Sequence, residues 1–337
     1  MISNYFKNIK TMAYMANQIM PNQSHRFCYL FGNQSSDPDS VFGAVTLSVL
    51  LFIHNNKKNQ KFKQYANYLF SDEFSLGQLD AILQDKEVQI FMPIVNNENL
   101  LWVTSKLEID FINAHFSIGM EDSTDLGFLN NLRYGQKLRI GIFDFNLLNQ
   151  KLENSLKRAV NDFDTDIRYE ICLDHHDIAS KEFLTKFIKT RIHRAGSCHS
   201  VLFSYFSGDE IELLAEYCPE LVKISALVIK ADSNNFAKEL KGKRWVETDI
   251  KICQRLMSLT TYGSIDEDYH GFVNYKYSEK QFDLDFERLF FADAKRFVYK
   301  NGKVVEYAVF FNSVDEYFIN YTPEGFFRNV AEVIEKK

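Results

Sequence analysis

The 337-residue chain contains no Cys-x-x-Cys pair. Its five cysteines, Cys28, Cys172, Cys198, Cys218 and Cys253, are scattered and odd in number. That pattern argues against a zinc ribbon or a disulfide framework, and it suits a reducing compartment. A long hydrophobic run is also missing. The longest, VFGAVTLSVLLFI from Val41 to Ile53, is too short to span a bilayer and reads as a buried helix. Nor is there an excess of positive charge. The net charge of −6 gives no general pull toward nucleic acid or an anionic membrane. Any anionic substrate must then be met by a local basic patch. Acidic residues are absent from the first 36 positions, where Lys7, Lys10 and Arg26 give a mild likeness to an organellar presequence. The stretch TMAYMANQIM reads equally as an ordinary amphipathic first helix, and no secretory signal is visible. The expected compartment is the cytoplasm, with the mitochondrion as the alternative.

What the chain does have is length enough for two domains and a regular alternation of elements. Strand-like runs occur at HRFCYLFGN (25–33), EVQIFMPIV (87–95), QKLRIGIFDFN (136–146) and IRYEICLDHH (167–176). Helical patterns lie between or after them: the helix beginning near Ser40, QYANYLF, LLNQKLENSLKRAV and KEFLTKFIKT. Strands alternating with helices predict an α/β fold with a parallel, doubly wound sheet. ISALVIKADSNNF (224–236) is an apolar segment ending in Asp232, and WVETDIKICQRLMSL (245–259) is a closing helix. The first domain is thus expected over 1–259 and a linker over 260–280. A smaller α+β domain over 281–337 follows, with a helix and a hairpin turning at Asn301-Gly302.

The chemistry gathers at the strand ends. Asp37 and Asp39, Asp144, and the LDHHD cluster from Leu173 to Asp177 each fall there. Taken alone, LDHHD admits two readings: metal ligands, or a capping aspartate beside solvated histidines. Ligands of doubly wound sheets bind beyond the carboxyl ends of the strands, so these residues are expected to converge. Three acidic strand ends in one place repel strongly without a counter-cation, which favours the metal. Farther on, the Gly196-Ser197 turn precedes an apolar helix, and the free N–H groups of such a start can hold an anion.

Five motifs in this order resemble the DHH phosphoesterase superfamily, and within it the exopolyphosphatase and prune-like branch, related to family II inorganic pyrophosphatases. GNQSSDPDSVFGAV resembles the first motif, with Asn33 where the pyrophosphatases have a metal-binding histidine. IFDFN resembles the second, LDHHD is the signature, AGSCHS resembles the Gly-Ser-Cys motif, and ADSNNF resembles the Asp-Thr-x-Asn-Phe motif. The resemblance implies a two-metal site filled by Mg²⁺ or Mn²⁺. Asp39, Asp144, His175 and Asp232 match the ligands of one position, and Asp37 with bridging Asp144 match the other. His176 matches a histidine that faces the substrate phosphate, and Ser197 belongs to the anion-binding turn. The implied catalytic residues are Asp144, His176 and Asn33.

Two departures stand out. Phe145 replaces the histidine usual in the second motif, and the second domain resembles only the start of the branch's C-terminal domain, an apparently shortened form. Lys295 and Arg296 of DAKRF are then the candidate clamp on a phosphate chain, with Arg191, His193 and Arg194 as further positive groups. His193 and Arg194 read better as surface charges. His199 reads as a structural histidine, and Cys198 is not expected to be a nucleophile. The resemblance implies a metal-dependent phosphoanhydride hydrolase, foremost an exopolyphosphatase releasing orthophosphate from polyphosphate ends. The alternatives are a prune-like phosphodiesterase or short-chain polyphosphatase, and a turnover-free protein serving a larger assembly. The expected partner is polyphosphate or another small phosphorylated substrate, with no nucleic acid and no membrane span.

Overall fold

A computed structural model describes parts of residues 4–15, then 26–33, 37–71, 74–94, 135, 137–148, 150–260, 269–270, 294–298, 304–308 and 322–335. Five strands form one sheet: β1 (Phe27–Phe31), β2 (Ile90–Ile94), β3 (Lys137–Phe143), β4 (Asp166–Asp174) and β5 (Lys189–Ile192). Their order is β2-β1-β3-β4-β5 and every pairing is parallel. In this order the chain turns from one side of β1 to the other. The switch point therefore lies between β1 and β3, where a crevice opens at the carboxyl edge.

Helix α1 (Pro38–Asn56) carries the apolar run. Every residue from Val41 to Ile53 is buried, because the helix lies between the sheet and three further helices. These are α6 (Cys198–Tyr205), α7 (Gly208–Tyr217) and α8 (Pro219–Asp232). Its start is fixed by Asp37, whose carboxylate accepts from Ser40 N at 2.9 Å, with Pro38 in the first turn. Gly43 lets α1 approach the sheet: a Cβ there would sit 1.9 Å from the Phe143 ring. At the amino end of the chain, Tyr5, Ile9 and Met12 are helical and buried, while most of the stretch TMAYMANQIM lies outside the described residues.

Between β1 and β2 run α2 (Phe62–Phe70) and α3 (Leu76–Gln84). Buried Arg26 caps the latter by donating to the carbonyls of Ile82 and Leu83, and also to Val88. Helix α4 (Gln150–Phe163) leads from β3 to β4 and packs on β4. One expectation is corrected here. KEFLTKFIKT is not one helix: a single turn, α5 (Lys181–Leu184), is followed by β5. Ile188 N bonds Tyr169 O at 3.0 Å and starts the strand. Phe183 and Phe187 both pack edge-on against Tyr169, so tertiary contacts produce the apolar spacing that looked helical.

The apolar segment ending at Asp232 is the last part of α8, and α9 (Glu247–Ser258) packs against it. Most of the linker expected over 260–280 lies outside the described residues, as does the helix expected ahead of the hairpin. The hairpin strands themselves are β6 (Ala294–Val298) and β7 (Val304–Ala308), paired antiparallel. A last helix, α10 (Pro323–Glu335), was not anticipated.

Candidate metal centre

Asn33 follows β1 and Asp144 follows β3, so both stand at the switch point. Asp144 N extends the ladder to Leu173 O at 2.9 Å, and the residue then turns with φ of 67°. Aspartate is among the few non-glycine residues found in this left-handed region. The turn places a 2 %-exposed carboxylate at the sheet edge. Its Oδ2 accepts from Asn33 Nδ2 at 2.6 Å. Its Oδ1 is buried and accepts no hydrogen bond, although His175 Nε2 stands 3.3 Å away and His176 Nδ1 3.8 Å away.

The paired histidines are held by different anchors. His175 Nδ1 meets the Ala195 carbonyl at 3.0 Å, which leaves Nε2 to face Asp144 and, at 3.8 Å, Asp39 Oδ2. His176 Nδ1 is 2.8 Å from Asp174 Oδ1, so its Nε2 is left for another partner, on a ring that is 39 % exposed. Asp174, fully buried, also accepts from the backbone N–H of both histidines, and Asn146 donates to its other oxygen. Asp174 thus orients the pair. Its carboxyl sits below the usual range: burial opposes ionisation, but the His176 hydrogen bond outweighs it.

Asp39, in the first turn of α1, is gripped by the start of α6. Oδ1 accepts from Ser197 Oγ at 2.8 Å, His199 N at 3.2 Å and His199 Nδ1 at 2.6 Å. Among the described residues, Oδ2 accepts only from Cys198 N, at 2.6 Å, on the side facing His175. The N–H groups of the turn, read from sequence as an anion site, here hold an internal anion, and Ser197 is fully buried. His199 is likewise buried, edge-on to Phe143.

The electrostatics are those of a buried, strongly interacting cluster. Asp144 is pushed well above the carboxylate range, first by burial and then by the charges of Asp37 and Asp39. His175 is raised to about 10: burial opposes this, and the Asp144 carboxylate prevails, helped by Asp39. The buried carboxylates of this edge thus favour positive charge beside them. Asp144, His175 and His176 offer ligand atoms within 4.8 Å of one another. Carboxylate and imidazole donors, with one buried carboxylate oxygen unsatisfied, fit a divalent cation. Cys198 forms a second close group with Asp144 and Asp174; burial and then the neighbouring carboxylates push its thiol well up, and its sulfur donates to Leu173 O.

The other expected residues fall as follows. Asp37 caps α1, close enough to act on Asp144. Asp232 ends α8, one residue before Ser233, which packs on Gly196. Lys295 and Arg296 are in β6, opposite Tyr307 and Glu306. Arg191 is exposed on β5, and Arg194 donates to Gly242 O. Phe145 is half-buried and packs against the core. Sequence reading did not single out Asp174 as the anchor, or Asn146. Polarity at the end of a buried strand was their only signal.

No family model matches the chain, and no curated protein matches it. A solved structure does. It is that of a Methanococcus jannaschii protein assigned to the family II inorganic pyrophosphatases, with a TM-score of 0.55 and 16 % identity. The alignment covers 92 % of this chain and 79 % of the other. At that identity the likeness is one of architecture: the chain shares the α/β fold of a family II pyrophosphatase.

Proposed function

We propose that the chain is a metal-dependent phosphoanhydride hydrolase of the DHH type, acting as an exopolyphosphatase on the ends of polyphosphate. The observation that carries this is the buried Asp144 Oδ1, without a hydrogen bond and flanked by two histidines at the switch point of a parallel sheet. Asp39, Asp144, His175 and Asp232 are the proposed holders of one Mg²⁺ or Mn²⁺, and Asp37 and Asp144 of a second. When bound, such ions activate water and neutralise phosphate charge.

The residues divide the work. Ala195 O takes the Nδ1 proton of His175, which leaves Nε2 as the nitrogen that would face a metal ion. Asp174 holds His176 with Nε2 left for a phosphate oxygen. Ser197 and His199 orient Asp39 rather than touching substrate. Lys295 and Arg296 are the proposed clamp.

A second reading has its own observation. The Asn33 amide donates to Asp144 where a histidine ligand would otherwise stand, which favours a protein that keeps the fold without turnover. Phosphate release from pyrophosphate, tripolyphosphate and long polyphosphate, with Mg²⁺ or Mn²⁺, separates the two. Metal-dependent release that rises with chain length supports the exopolyphosphatase. Release from short chains alone moves the assignment to a short-chain enzyme, and none from folded protein leaves the binding role.

A further inference from the structure

The turn from Ala195 to His199 holds both halves of the site. Ala195 O holds His175, while Ser197, Cys198 and His199 hold Asp39. Something must hold the turn. Behind it lies Asp249, fully buried in the first turn of α9. Its Oδ2 accepts from Gly196 N at 2.9 Å and from Val246 N at 2.7 Å. One carboxylate oxygen therefore ties the turn to the start of α9. The fit is close: a Cβ on Gly196 would lie 2.5 Å from Arg244 O, 2.6 Å from Ser233 Oγ and 3.2 Å from Asp249 Oδ2. There is no room for a side chain at 196, so the backbone can come close enough for its N–H to reach Asp249.

We infer that Asp249 is a positioning residue for the metal centre, acting through the Gly196 N–H on the turn that aims His175 and Asp39. The inference rests on the metal reading above. Buried groups that orient metal ligands characteristically govern affinity about 10- to 100-fold without touching the ion. A bond to a charged acceptor is also stronger than a neutral one. The exposed charges of Arg191 and Arg194 lie on the other side of the turn in sequence and make no bond to Asp249 among the described contacts.

The test is calorimetric Mn²⁺ binding to Asp249→Ala, Asp249→Asn and Glu210→Gln. Glu210 sits in an ion-pair network at the far end of α1, so its variant controls for lost stability alone. Asp249→Ala should weaken Mn²⁺ binding by at least about tenfold, whereas Asp249→Asn, which keeps the acceptor oxygen, should restore most of it. Glu210→Gln should leave it unchanged. Wild-type affinity in folded Asp249→Ala overturns the inference, as does a loss in Glu210→Gln equal to that in the alanine variant. If alanine prevents folding, Asp249→Ser, whose hydroxyl is too short to reach Gly196 N, takes its place.

A metal-free readout separates this inference from the proposed function. In the wild type the His175 ring proton held by Ala195 O should be protected from exchange in imidazole NMR, and Asp249→Ala should release it. Absence of any Mn²⁺ binding by wild-type protein, with that release still seen, sinks the metal reading but sustains the positioning role. Unchanged protection sinks the positioning role.

Discussion

Asn33 Nδ2 donates to Asp144 Oδ2 at 2.6 Å, while the Asn33 backbone N–H donates to Ser40 Oγ at 2.5 Å. The segment that follows β1 is thereby fastened to α1 and to the central carboxylate at once. The amide occupies one Asp144 oxygen with a donor, where a neutral imidazole would offer a ligand. Asn33→His should therefore tighten Mn²⁺ binding by about 1 kcal/mol or more, read by calorimetry. Unaltered affinity in a folded variant would show that residue 33 lies outside the coordination sphere.

Asp144→Asn should separate stability from function. An amide there avoids the cost of burial and the repulsion from Asp37 and Asp39, so the metal-free variant should be at least as stable as wild type. Phosphate release should fall by about three orders of magnitude. Saturating Mn²⁺, at a hundred times its dissociation constant, should add about 2.7 kcal/mol to wild type and little to the variant. Thermal melts with and without metal check both parts; equal metal-induced shifts would refute the ligand assignment.

Gly43→Ala tests the contact that seats α1 on the sheet. Its Cβ would fall inside the Phe143 ring, 1.9 Å from Cε1, and Phe143 is itself buried against His199. Overpacking of this kind should cost about 3 kcal/mol, measured as a lower urea midpoint. Wild-type stability would mean that Phe143 has an alternative rotamer at no cost.

Glu210 gives a pH prediction with a defined sign. Burial raises its pKa, but Lys57, the Ser207 N–H and His54 outweigh that and bring it down to about 2. The unfolded value is about 4.3. A depressed folded pKa stabilises fully above the unfolded value and is lost as pH falls through the folded one. The stability difference between wild type and Glu210→Gln should thus be about 2 kcal/mol at pH 7 and vanish between about pH 5 and pH 2. Urea titrations across that range measure it, and a constant difference would remove Glu210 from the network.

The parallel sheet and its acidic edge were legible because four strands carry apolar runs and aspartates follow or close three of them, β1, β3 and β4. β5 was not. Its four residues, Lys189 to Ile192, show neither alternation nor an apolar run, and it becomes a strand only by pairing with β4. Asp39, Asp144 and the histidines could be named from residue type and position. The grip of Ser197 and His199 on Asp39 could not, since it joins residues 158 and 160 positions apart. Asp249 was hidden for the same reason: in sequence it is an acid in the first turn of a helix, like many others.

The backbone at residue 144, with φ of 67°, would welcome asparagine or glycine as readily as aspartate. Turn geometry therefore does not call for the negative charge there, and Asn33 could bond an amide oxygen as well as a carboxylate. A single-base change in the codon could remove the charge with no strain on the turn. Under the proposed function, retirement at this position would be conformationally silent, leaving the outline of the fold intact and its chemistry gone.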